Sequence, residues 1–195
     1  VMFEEPEGAT PLDPDEAEGL KISHISTREE LNRWEQEGIN QAYLWCEKRR
    51  NKKDVISEAF LINLHKQMFG KVWKWAGEFR RSDKNIGVDW MQIPIEFRQL
   101  LNDVNYWIEH KTYEPEEIAV RFHHKLVWIH LFPNGNGRHA RLSTDRLLMD
   151  VFGLEPFTWG KANIDQKGDV RTRYIQALRQ ADNHDCSGLI DFVNG

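Results

Sequence analysis

Apolar side chains recur at every third or fourth position through most of this chain, and that spacing decides what it can fold into. Phe97, Leu100, Leu101, Val104, Trp107 and Ile108 mark one helical stripe over about 95–110, and Ile118, Phe122, Leu126 and Ile129 mark a second. Pro115 opens the second stripe, since its fixed φ suits a first helical position. After a break at Pro133–Gly137, a further helix is expected from about Arg138 to Phe152, stopping at Gly153. Upstream, Leu31, Trp34, Gly38, Ala42 and Trp45 keep helical spacing behind a cap at Ser26 or Thr27, with Glu29 and Glu30 suiting a first turn. Phe60, Leu61, Leu64 and Met68 do the same from about Ser57 to Phe69, before Gly70. Two more helices are expected at about 169–182 and 187–194. Only 77–94 departs from this rhythm: Ile86–Val88 and Met91–Ile93 lie among Gly77, Gly87 and Pro94 and predict a small β-hairpin. With no βαβ alternation, the expected class is mainly α, a helical bundle with one short hairpin.

Composition limits the partners. The net charge of −5 is unevenly placed, because residues 1–20 hold seven acids (Glu4, Glu5, Glu7, Asp13, Asp15, Glu16, Glu18) and no Lys or Arg. The rest of the chain is left near +2. That is no footprint of a nucleic-acid binder. Pro6, Pro11 and Pro14 fall in the same stretch, so residues 1–25 read as an acidic arm, folded against the body or loose. Residues 26–56 read as an N-terminal helical segment and 57–195 as the main domain. No basic start with an apolar run is visible at the N-terminus, and no stretch approaches the length of a membrane span. The two cysteines, Cys46 and Cys186, lack metal-like spacing and read as free thiols. The expected location is the cytoplasm. The eight tryptophans suit a packed interior or an aromatic surface, and composition does not choose between these.

The segment that carries chemistry is His130-Leu-Phe-Pro-Asn-Gly-Asn-Gly-Arg-His-Ala-Arg141, between two helices. Gly135 and Gly137 let the backbone turn tightly and let another group approach. Asn136 suits the cap of the next helix, whose first N–H groups have no internal partner and favour an anion. Arg138 and Arg141, three apart, project from one side of the first turns. The helix dipole disfavours cations there by roughly 0.3–1 kcal/mol each. A polyphosphate resolves the conflict, since Arg forks onto phosphate oxygens. His130 stands where it can take a proton from an attacking hydroxyl. His139, between the arginines, points away by the helical step. His65, His110 and His184 read as surface or capping residues. Zinc-hydrolase spacings such as H-E-x-x-H are absent.

The segment resembles the Fic-family signature H-x-F-x-D/E-G-N-G-R-x-x-R and matches seven of its eight defining positions. Trp75-Ala-Gly-Glu-Phe-Arg80 and His124-Lys-Leu-Val-Trp-Ile-His130 extend the resemblance, which as a whole is similar to the small Fic proteins called mobile mystery protein B. The resemblance implies a Fic (Fido) fold and a protein adenylyltransferase moving AMP from ATP to a Ser, Thr or Tyr hydroxyl of a target protein. His130 would be the general base and Phe132 a core anchor for the loop. Gly135, Asn136 and Gly137 would cradle the phosphates, and Arg138 and Arg141 would bind the β- and γ-phosphates. The hairpin near 85–93 would hold the target by strand addition. A separately encoded, antitoxin-like DNA-binding partner is also implied. Tyr174 and Leu178 line an adenine pocket or belong to the core. Transfer of another group (UMP, phosphocholine or the terminal phosphate) keeps the same fold, and a nucleotide-sensing protein without activity is the alternative from a different class.

One position departs from the signature. Asn134 stands where the family has the acid that binds Mg²⁺, and its neutral oxygen should hold the metal weakly. Activity is then expected at raised Mg²⁺ or Mn²⁺ and should improve in Asn134→Asp. Glu37-Gly38 fits the end of the family's inhibitory motif S/T-x-x-x-E-G/N, with Arg33 in the Ser/Thr place. The expectation from it is a Glu37–Arg141 ion pair, set against an ordinary exposed glutamate on an amphipathic helix.

Overall fold

The computed structural model describes residues 9–161 and 163–195. Of the acidic arm, Glu4, Glu5, Pro6 and Glu7 lie outside the described residues. The described chain runs α1 (Pro14–Ala17), α2 (Arg28–Lys48), α3 (Glu58–Phe69), α4 (Ile93–His110), α5 (Pro115–Ile129), α6 (Asn136–Arg146), α7 (Asp169–Asp182) and α8 (Ser187–Asn194). A π-helical stretch, Leu147–Phe152, continues α6 until Gly153, at φ 66°, turns the chain away. Local chemistry sets the helix starts. The Thr27 hydroxyl accepts from the Glu30 N–H while the Glu30 carboxylate accepts from the Ser26 and Thr27 N–H groups, a reciprocal cap. The Ser57 hydroxyl accepts from the Phe60 N–H at the head of α3.

Helix α5 is the hub, packed by α4 on one side, α6 on another, and α7 and α8 beyond. Its stripe of Ile118, Phe122, Leu126 and Ile129 is fully buried with Phe97, Leu100 and Val104 of α4. Helix α2 lies along α3 through Leu31, Glu35, Gly38, Ala42 and Cys46. Gly38 is there for contact: a Cβ would stand 2.1 Å from the Met68 carbonyl oxygen. Both cysteines are free thiols. Among the described residues no helix is long and apolar enough to cross a membrane.

The hairpin expected over 77–94 does not form; among the described residues the segment is bends followed by a 3₁₀ turn, Trp90–Gln92. The cause is Arg80, whose buried guanidinium donates to the Ser82 and Val88 carbonyls. Those oxygens are drawn inward and cannot pair across a strand ladder. The described arm packs on the same region. Leu20 bridges to Trp73, the Lys21 N–H donates to Val72 (2.8 Å), and the Trp75 indole donates to the Glu16 carbonyl (3.0 Å). Lys84 pairs with Asp13 and Glu16.

Polar groups in the interior brace the loop after α5. His65 is wholly buried rather than on the surface, because its two nitrogens serve two backbones: Nδ1 accepts from the Gly77 N–H (2.9 Å) and Nε2 donates to the Asn134 carbonyl (3.0 Å). His139 turns away from its flanking arginines to the Leu61 carbonyl (2.8 Å), and His123 meets the Tyr174 hydroxyl (2.7 Å). Burial holds all three imidazoles below their ordinary range, His123 at about 3, His139 at about 4 and His65 well below that range. Asp145, buried under the Trp159 indole, is pushed the other way, to about 7. Below pH 6.5 the unfolded chain therefore binds three protons that the folded one refuses, while Asp145 returns one. Stability should fall as pH drops from about 6 to 4.5, by about 3 kcal/mol per unit from these groups. Urea midpoints across that range would show it, and a flat profile would contradict the neutral buried histidines.

Candidate functional site

The corner between α5 and α6 is made by two left-handed residues. His130 ends α5 at φ 60°, ψ 68°, and Gly135 precedes α6 at φ 78°. A side chain at Gly135 would strike the Phe69 ring at 2.6 Å. His130 has no such exemption, and left-handed backbone costs a non-glycine residue about 1–2 kcal/mol. Arg80 compensates: its Nε donates to the His130 carbonyl at 2.6 Å and Nη2 to Ile129 at 3.2 Å. A cation at the C-terminus of α5 is also favoured by the helix dipole. Phe132 is fully buried, stacked on His65 with centroids 3.7 Å apart and met edge-on by His139.

Asn136 is the first helical residue, and Gly135 takes the cap position expected for it. Its amide instead closes a ring on Phe132, accepting from the Phe132 N–H (2.9 Å) and donating to the Phe132 carbonyl (2.8 Å). Its backbone N–H lies in the first turn of α6, where amides have no intrahelical partner and an anion is favoured.

These residues open onto one cavity of about 960 Å³. His130, Asn134, Gly135, Asn136, Gly137, Arg138 and Arg141 all line it, as do Tyr174 and Leu178. The His130 ring is buried and neutral, pushed down to about 4 by burial and then by the charges of Arg80 and Lys84. Its Nδ1 edge lies toward the Val127 carbonyl without completing a hydrogen bond. Nε2 lies 2.7 Å from the hydroxyl of Thr10, and the Thr10 carbonyl accepts from the Asn134 amide at 3.0 Å.

Both arginines hold carboxylates. Arg138 donates to Glu35 of α2 at 2.5 Å, and Arg141 pairs with Asp165. Burial opposes the Arg141 charge, yet Asp165 and the Tyr174 ring beside it hold its pKa above the ordinary guanidinium value. The expected Glu37–Arg141 pair is not made. Glu37 is exposed and accepts from Gln41, because Gly38 turns its own face, shared with Glu35, onto α3. Two residues nearer the N-terminus, Glu35 is buried, with one oxygen on Arg138 and the other on the Trp73 indole (2.9 Å). Its signal was an acid in the buried stripe Leu31–Glu35–Gly38–Ala42–Cys46. Thr10 and Asp165 carried no such signal.

The donor set does not fit a metal held by the protein. No group of three or more His, Cys, Asp or Glu able to hold a metal occurs among the described residues. Asn134 offers one neutral oxygen while its amide nitrogen serves Thr10.

Fold and loop together define a helical domain whose α5–α6 corner sets a neutral imidazole and two arginines on one cavity. Residues 55–148 match the Fic/DOC family model, and the chain carries a domain of that family. It is 31% identical over 147 residues to the protein adenylyltransferase Fic of Aedes aegypti, covering 73% of this chain and 28% of that protein. The relative of the same name from Nematostella vectensis is 30% identical over 146 residues, covering 73% of this chain and 32% of that one. The chain thus spans about a third or less of the curated relatives it matches. The BepC effector of Bartonella tribocorum, solved with AMPPNP bound, shares the fold with a TM-score of 0.69 at 18% identity, over 97% of this chain and 93% of that chain.

Proposed function

We propose that the chain is a protein adenylyltransferase, moving AMP from ATP to a hydroxyl of a protein target. One observation carries the reading: a neutral imidazole, already bonded to a hydroxyl, sits on the rim of a cavity whose floor is a helix N-terminus with two arginines. The names of the Aedes and Nematostella relatives and the AMPPNP in BepC support ATP as the donor.

In this scheme the amides of Gly135–Arg138 and the guanidiniums of Arg138 and Arg141 take the triphosphate and turn its α-phosphorus toward His130. His130 accepts the proton of the attacking hydroxyl at Nε2. Asn134 closes the loop beside it. Any Mg²⁺ or Mn²⁺ would ride chiefly on the phosphates. Placing the chain with the mobile mystery protein B group, and with a separately encoded DNA-binding partner, rests on the resemblance of the sequence taken whole, and the free thiols fit a cytoplasmic site. With α-labelled ATP and a cell lysate as acceptor, the wild type should label protein, and His130→Ala should reduce labelling about 10²–10⁴-fold. Label carried only from γ-labelled ATP would replace AMP transfer by phosphate transfer.

The carboxylates on the two arginines occupy the places the phosphates would take. Nucleotide must displace Glu35, whose pair is buried, so the resting site is restrained. Glu35→Gln keeps the Trp73 contact and removes the charge. It should tighten ATP binding about tenfold or more, the scale of one charge-assisted hydrogen bond. Calorimetric titration would measure it, and unchanged affinity would reject the restraint.

A further inference from the structure

We propose that Thr10 is itself an acceptor of the transferred group, so that the chain modifies its own arm. The inference rests on the adenylyl transfer proposed above, and it assigns that reaction a definite hydroxyl.

The geometry is that of an acceptor on its base. Thr10 is 3% exposed, and its Oγ1 stands 2.7 Å from His130 Nε2 across 120 residues of sequence. General-base transfer requires a heavy-atom distance of about 2.6–3.2 Å. Ala9 and Thr10 also line the cavity that Arg138 and Arg141 share, so the hydroxyl meets the base in the space the phosphates are proposed to enter.

The arm is led there by specific bonds. Pro11 follows Thr10 and holds its backbone extended, which presents the side chain outward from the strand of chain. Asn134 donates to the Thr10 carbonyl (3.0 Å) and Lys84 to the Pro11 carbonyl (3.4 Å). Two residues on, Asp13 accepts from Ser82 and pairs with Lys84. A segment tied to Ser82 and Lys84 with one hydroxyl on the imidazole is the arrangement an acceptor needs. Here the chain provides it in cis.

The step balances simply. Thr10 Oγ forms a bond to the α-phosphorus of ATP, the bond from that phosphorus to the bridging oxygen breaks, and pyrophosphate leaves. The hydroxyl proton passes to His130 Nε2. The product is an O-adenylylated threonine.

The test uses the full chain with α-labelled ATP and Mg²⁺, followed by fragment-ion mass spectrometry of the peptide containing Thr10. The wild type should carry one AMP on Thr10. Because the acceptor is tethered, the first-order rate should not change on about tenfold dilution of the protein. Thr10→Ser should keep the label, and Thr10→Val should lose it by about tenfold or more, a floor set by the loss of a base-activated acceptor. Self-label mapped to other residues with Thr10 unmodified overturns the proposal. So does a wild type that labels lysate proteins in a His130-dependent way but never itself. That outcome would leave adenylyl transfer standing, whereas absence of label on chain and lysate alike would remove both.

Discussion

One guanidinium spent on backbone oxygens holds this site together. Arg80 reaches four carbonyls, on Ser82, Val88, Ile129 and His130, from a position 2% exposed. Its nearest carboxylate, Asp83, is 3.8 Å away and largely in solvent. A buried cation is costly unless its protons are met, and here carbonyl dipoles at the end of α5 meet them. The left-handed turn at His130, the path of 82–88 and the direction of the imidazole all follow from that arrangement. Removing it would leave several buried carbonyls unanswered, each worth about 1–3 kcal/mol.

The helices were legible because their ends are written in local chemistry. Thr27 and Ser57 cap, Pro115 opens α5, and Gly153 turns the chain after the π-helical stretch, each acting within a few residues of itself. The loop from His130 to Arg141 was legible for the same reason, since glycines and arginines at that spacing report on one helix start. What the sequence did not disclose were the partners. Ile86–Val88 and Met91–Ile93 had the look of paired strands, but Arg80, from outside the pattern, claimed the carbonyls. The Glu-Gly pair at 37–38 suggested an inhibitor, yet Gly38 is a packing residue whose register makes Glu35 the acid that faces inward. Thr10 lies in an arm whose composition speaks of exposure, and only the folded chain brings it to His130.

The two arginines at the head of α6 show how guanidiniums set against a helix dipole are balanced. Both sit against the positive end of α6, and both are neutralised by acids from distant segments. The acids differ in standing. The Glu35 side chain is 3% exposed and tied to Trp73, while that of Asp165 is 44% exposed on a loop. The Asp165 pair is the more readily opened of the two, because screening reaches its carboxylate and no indole holds that acid in place.

Gly87 bears on how the base is kept in place. Its backbone, at φ 98°, lies so close to the imidazole-bearing carbon that a Cβ there would be 2.7 Å from that of His130 and equally near an Arg80 nitrogen. The 82–88 strap and the His130 side chain therefore pack directly on each other, and pressure on the outer side of that strap is passed to the imidazole.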